Sequence, residues 1–194
     1  KTRTRQFRAK DVTFFRLTAE GHLVPLPRSA SDEDILTAAA ATLRISNQKN
    51  GHKGQCIHHR AMRTPGAACP VRALGRRAVH IRQHDRRGEA FICAYWDEIG
   101  KGNVTPDNIS FAVKFAAKAL RYDEERQISI DQIDTHSLRS GGACALHLSG
   151  HDEVQIRKMG RWAANLGAFL EYIREQLSTF SAGMADKMAA IGRF

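Results

Sequence analysis

The chain has 194 residues, 42% of them hydrophobic, and a formal net charge of +10. That length suits one domain, or one domain with a small appendage, and the apolar fraction is enough for a core without disulfide or metal staples. No run of about eighteen apolar residues occurs, which excludes a membrane-spanning helix.

The chain starts Lys1-Thr2-Arg3-Thr4-Arg5, with neither an initiator Met nor the apolar stretch of a signal peptide, and reads as a piece of a longer protein. Its charge is unevenly spread. Residues 1–16 carry +5 and residues 17–43 carry −3. Residues 44–87 hold eleven Lys and Arg against Asp85 alone, and residues 88–194 are slightly acidic at −2. So concentrated a basic block is the footprint of a polyanion partner, because each cation set on a phosphate releases condensed counterions. Cys56, Cys69, Cys93 and Cys144 are widely spaced and lack a secretory context, which points to free thiols in a reducing compartment. Cys56, His58, His59 and Cys69 cluster, but without a C-x-x-C pair, and adjacent histidines on a strand face opposite ways. No metal or other cofactor is expected.

The first half reads as strands and loops. Residues 7–15 have the apolar positions of a strand, and Gly21-His22 supplies a turn. Residues 25–34, with Pro25, Pro27, Ser29, Ser31 and three acids, read as a loop. From Ala41 the apolar and polar residues alternate, Asn50-Gly51 gives a strong hairpin signal, and Cys56-Ile57-His58 returns. Lys49 stands beside the tip of that hairpin.

Helices follow. Residues 70–83 form a basic amphipathic stretch with Val71, Leu74, Ala78 and Ile81 on one side. Thr105-Pro106 caps a helix through Phe111, Phe115 and Leu120. A helix from about His136 ends at Gly150, and Asp152 caps a short one over Val154, Ile156 and Met159. Phe169, Leu170, Ile173 and Leu177 mark a helix that carries Tyr172. The class is α+β, a small antiparallel sheet followed by a helical bundle.

His136-Ser137-Leu138-Arg139 is where chemistry enters. Positions i and i+3 share a helix face, so imidazole and guanidinium can hold one phosphate, the guanidinium forking two oxygens. Thr135-His136-Ser137-Leu138-Arg139-Ser140-Gly141-Gly142 resembles the His-x-x-Arg box of the tyrosine recombinases of the lambda-integrase type. Met159-Gly160-Arg161-Trp162 resembles that family's following box. Phe169-Leu170-Glu171-Tyr172-Ile173-Arg174 resembles its nucleophile segment, and Asn47-Gln48-Lys49-Asn50-Gly51 its lysine-bearing hairpin. The wording Gly160-Arg161-Trp162 and Cys69-Pro70-Val71 is similar to recombinases of eukaryotic mobile elements.

The resemblance implies a single catalytic domain over residues 1–194 that breaks and rejoins duplex DNA. It implies Tyr172 as nucleophile, Arg139 and His136 on the scissile phosphate, Lys49 as proton donor and Trp162 packing the site. Lys53 is the competitor of Lys49, and Arg161 can share the role of Trp162. It implies a 3′-phosphotyrosyl intermediate, no metal or ATP, no small-molecule substrate, a synaptic homo-oligomer, and residence in the nucleus in a eukaryotic host or otherwise in the cytoplasm. Arg44, Lys53, Arg60, Arg63, Arg76, Arg77 and Arg161 are expected against DNA. Residues 178–194 carry Met184, Met188 and Ile191 at helical spacing; the resemblance implies a tail that docks on a neighbouring protomer, and folding back on its own domain or fraying are the alternatives.

The interval from Trp162 to Tyr172 exceeds the family's, which implies an insertion near Asn165-Leu166-Gly167. The family's first arginine has no match at Arg3, Arg5 or Arg8; it and the DNA-clamping domain are expected upstream of Lys1, leaving this piece weakly active or inactive. An inert DNA-binding remnant and a type IB topoisomerase are the alternatives.

Overall fold

The structure, a computed structural model, describes residues 6–46, 54–63, 69–125 and 127–162. The chain is α+β and divides into two compact units, Lys1–Thr105 and Pro106–Phe194.

In the first unit a four-stranded antiparallel sheet has the order β2-β1-β3-β4, with β1 Val12–Leu17, β2 Leu23–Pro25, β3 Ala40–Arg44 and β4 Cys56–Arg60. The expected first strand begins late. Residues Ala9–Asp11 form a 3-10 turn instead, because the buried Asp11 carboxylate accepts the Arg8 backbone N–H at 2.9 Å and bends the chain. Gly21, at φ +85, closes the turn into β2 as expected. The expected loop over residues 25–34 gives way to a helix, α1 (Asp32–Leu36). Ser31 Oγ accepts the Asp34 N–H and Asp34 accepts the Ser31 N–H, both at 3.0 Å, a reciprocal cap that outweighs the prolines before it.

The β3–β4 hairpin pairs Arg44 with Cys56 and Ala40 with Arg60. Beyond Arg44, Ile45 donates to the Gln55 carbonyl and Gly54 donates to the Ile45 carbonyl, both at 2.8 Å. Two residues thus oppose one, a bulge with Gly54 at φ +76. The expected tip, with Lys49, Asn50, Gly51 and Lys53, lies outside the described residues. The sheet's inner face, through Phe14 and Ala41, packs with Ile35 and Val71 into the main core, with Leu74 and Ala78 against it.

Helix α2 (Pro70–His84) is the expected basic amphipathic helix. A Cβ at its Gly75 would stand 3.0 Å from the Ile35 carbonyl oxygen, so this glycine lets α1 approach. Its far end packs Ile81 with Ala90 and Ala94 under a short hairpin, β5 (Ala94–Trp96) and β6 (Lys101–Asn103), which the sequence reading did not anticipate.

The second unit has α3 (Pro106–Ala119), α4 (Tyr122–Glu125), α5 (Thr135–Leu148) and α6 (Glu153–Gly160). Phe111 and Phe115 lie on α3, 72% and 68% exposed, with ring centroids 6.4 Å apart. Ala143 and Ile156 form its buried cluster, with Leu146 and Trp162 packed against them. The helix expected around Tyr172 and the tail at 178–194 lie outside the described residues. Among the described residues no helix is long and apolar enough to cross a membrane, and no group of three or more His, Cys, Asp or Glu is placed to hold a metal ion.

Candidate active site and nucleic-acid interface

The entry of α5 is fixed by its cap. Asp134 Oδ1 accepts the N–H groups of His136 (2.7 Å) and Ser137 (3.1 Å), and Ser137 Oγ accepts the Asp134 N–H at 3.1 Å. With the helix start pinned, His136 lies in the first turn and Arg139 one turn later on the same face. The Ser137 N–H first, then the desolvation that opposes it and the His136 N–H, leave the Asp134 carboxyl below the usual carboxylate range. It stays ionised 3.8 Å from His136 Nδ1 and can pair with a protonated imidazole. The His136 side chain is 74% exposed, open to a ligand from solvent.

Two helix ends in this unit close alike with different residues. At α5, Gly150 (φ +81) donates to His147, and His151 donates to Leu146, a Schellman ending with glycine in the left-handed position. At α6, Arg161 takes that position at φ 56, donating to the Lys158 carbonyl, while Trp162 donates to Arg157. A left-handed non-glycine residue costs about 1–2 kcal/mol, and such strain gathers at functional sites.

What this ending accomplishes is visible at Arg139. Its guanidinium lies 4.5 Å from the centroid of the Trp162 ring and donates a hydrogen bond to the Gly160 carbonyl. The ring is packed so closely on Gly160 that a Cβ there would be 1.6 Å from Trp162 Cζ3. The three residues Gly160-Arg161-Trp162 therefore work as one device: glycine makes room, the left-handed arginine turns the chain back, and tryptophan supplies a face for Arg139. Among the described residues, one of the five N–H donors of Arg139 is engaged this way. Burial, then the like charge of Arg139, lowers the affinity of the Arg161 guanidinium for its proton. Two guanidiniums near one another and an imidazole one turn away suit an anion with several oxygens, such as a phosphodiester. Sequence reasoning named Arg139, His136, Arg161 and Trp162 but missed Gly160, whose signal was a glycine directly before Arg-Trp in a helix that must end.

In the first unit the outer sheet face carries the basic side chains. Cross-strand pairing puts Arg44, Thr42 and Ala40 on the same face as Cys56, His58 and Arg60. Arg44 and Arg60 are exposed and stand about 13 Å apart along the strands, at ~3.3 Å per residue. Thr42 Oγ1 and His58 Nδ1, 2.8 Å apart, form a hydrogen-bonded pair between them. Arg63 and Arg76 are also exposed. Arg77 is differently placed: its Nε donates to the Ile92 carbonyl at 3.2 Å and its Nη2 to Ala94, which ties α2 to β5. Two of its five N–H donors thus hold backbone, which leaves the others for a phosphate. Lys49, Lys53 and Tyr172 lie outside the described residues. No protein-family model, curated protein or solved structure matches the chain.

Proposed function

We propose that the chain is the catalytic domain of a tyrosine recombinase, which cuts duplex DNA and rejoins it in a synaptic assembly of several copies. The observation that carries the reading is the held guanidinium of Arg139, stacked on Trp162, hydrogen-bonded to Gly160 and one turn from His136.

In this reading the Tyr172 oxygen attacks the scissile phosphorus, a Tyr–phosphorus bond forms and the bond to the 5′-oxygen breaks. The phenol loses its proton, and the departing 5′-oxygen gains one from Lys49. Arg139, His136 and Arg161 offset the charge that builds on the non-bridging oxygens. Rejoining runs the same steps backwards with a new 5′-hydroxyl, and the energy held in the covalent link makes ATP unnecessary. Arg44, Arg60, Arg63 and Arg76 supply sequence-independent phosphate contacts.

The test is a nicked suicide substrate incubated with a version of the chain extended upstream of Lys1. A covalent protein–DNA adduct is expected, and Tyr172→Phe should abolish it while leaving the thermal melt unchanged. An adduct that survives the substitution removes Tyr172 from the role, and no adduct at all supports an inert DNA-binding remnant. Binding by the unextended chain should weaken steeply with salt; an affinity indifferent to salt removes the sheet face from the interface.

A further inference from the structure

The first unit holds a second concave site, away from the outer sheet face. A cavity of about 200 Å³ opens between β1, the segment after β2, and the end of α2. Its floor is apolar, lined by the half-buried Val12, Leu26 and Ala78 together with the buried core side chains Phe14, Ile35 and Ile81. A second cavity of about 440 Å³ shares its Arg28, Arg82 and Arg86 walls and extends it into an open trough.

The rim is cationic, and much of that charge is unspent. Arg82 is committed, donating to the Ala30 carbonyl at 2.6 Å and to Asp32 at 3.1 Å. Lys10 is committed to Glu89 at 2.6 Å. Asp85, the acid on the rim, accepts the backbone N–H groups of Ala90 (2.6 Å) and Arg87 (3.0 Å). Among the described residues, the side chains of Arg28, Arg86 and Arg87 make no hydrogen bond, ion pair or ring contact. Three unpaired guanidiniums thus overhang an apolar floor.

We propose that this trough docks a short acidic peptide segment of a partner protein, with one aliphatic side chain seated on the floor and flanking carboxylates on Arg28, Arg86 and Arg87. The two halves of the site select that occupant together. A DNA duplex presents its phosphates on a stiff convex surface and has nothing to bury in an apolar floor. An unpaired base would need an exposed aromatic platform, and the floor's aromatic residue, Phe14, is 7% exposed and already packed. The apolar-floored cavity, at about 200 Å³, lies below the ~300–1,000 Å³ of sites for whole small molecules and suits one side chain, while the adjoining cavity of about 440 Å³ has room for the flanking residues. Carboxylates meet guanidiniums in bidentate pairs, and the buried anchor adds an apolar gain that charge alone cannot supply.

The experiment is an amide-resolved NMR titration of the chain with the blocked pentapeptide Asp-Glu-Leu-Asp-Glu, beside an analogue with Ala in place of Leu, a short DNA duplex and a deoxynucleoside monophosphate. Shifts should cluster at residues 12–14, 26–28 and 78–88. Affinity should fall about tenfold or more for the Ala analogue, as loss of a buried aliphatic side chain requires. The Arg28→Ala/Arg86→Ala variant should lose binding while its melt stays unchanged, and Ala78→Leu should block the floor. If Ala78→Leu fails to fold, the Leu-to-Ala comparison alone decides the floor. Equal binding of the two peptides reduces the site to surface charge and overturns the proposal. So does a duplex or nucleotide that shifts the same amides and displaces the peptide, and so does the absence of shifts at millimolar peptide. None of these outcomes touches the reading of Tyr172 and Arg139.

Discussion

The unit ending at Thr105 and the unit beginning at Pro106 hold their functional side chains by different means. In the first, position comes from a packed core: Phe14, Ile35, Ala41 and Val71 fix a sheet, and strand pairing alone decides that Arg44 and Arg60 share its outer face. In the second, the described residues bury little beyond Ala117, Ala143, Cys144 and Ile156. There, position comes from helix ends: Asp134 sets where α5 begins, and Gly160-Arg161-Trp162 sets where α6 stops. Core packing gives stability that is spread over many contacts. Caps give geometry from a few contacts, so one substitution can spoil a site without unfolding its surroundings.

The sharpest test of that contrast is Gly160→Ala. The added methyl has no space beside the Trp162 ring, so the ring must leave Arg139. A guanidinium displaced by about 1 Å costs on the order of a hundredfold in rate. Adduct formation in the extended chain should fall by that much, with little change in melting temperature. Emission from Trp162, read in a Trp96→Phe background, should shift as the ring is released. Unchanged emission and rate would show that the α6 ending does not organise Arg139.

The converse is Ile81→Ala. Ile81 is 1% exposed against Ala90 and Ala94, and truncating such a residue destabilises by about 2–5 kcal/mol. The melt should drop by several degrees, while DNA affinity measured below the transition stays near its starting value. A loss of affinity without a loss of stability would reverse the assignment of core and surface.

Asp134→Ala is gentler. An N-cap is worth about 1 kcal/mol, and its loss frays the turn that carries His136. Amide exchange at residues 135–138 should quicken more than at residues 143–147. Uniform exchange along α5 would remove the cap from its positioning role.

The same contrast explains what the sequence disclosed. Helix α2 was legible because Val71, Leu74, Ala78 and Ile81 repeat with the helical period and burial obeys that period. The β3–β4 pairing was legible from alternation and its turn residues. Helix α1 was not, because Pro25, Pro27 and three acids outweigh one five-residue helix in any reading by composition; the Ser31-x-x-Asp34 cap was the available clue. Nor was β5–β6, where three-residue strands carry too little pattern, and Gly102 serves only to let the Tyr95 ring lie across it. In the site, the residue types of α5 and α6 were readable as chemistry. The left-handed turn at Arg161 was not, since nothing in an arginine announces positive φ. The shape of a helix end depends on which ring has to lie where, and that is decided in three dimensions.

The smallest effect concerns His80, which stands on α2 between two rings, 5.2 Å from His84 and 5.7 Å from Trp96. Among the described residues, its Nε2 is buried without a hydrogen-bond partner. Burial first, then the charges of Arg77 and His84, lower its pKa. Lys101, 5.3 Å from the centre of the Trp96 ring, adds a further cation beside the ring that His80 packs on. Above about pH 6.5, the usual histidine value, folded and unfolded chains both hold His80 neutral and it contributes nothing to the pH dependence. As the pH falls below that value the unfolded chain takes up the proton first, so it binds more protons than the folded chain and stability declines. The decline continues until the pH passes the lowered folded-state value. His80→Phe, close in size and without a proton to gain, should leave stability at pH 8 nearly unchanged and flatten its fall between about pH 6.5 and pH 5. Urea melts of both chains at each pH give the slopes directly. Equal slopes would mean that His80 finds a partner on protonation, and that this edge of the first unit rearranges where its core does not.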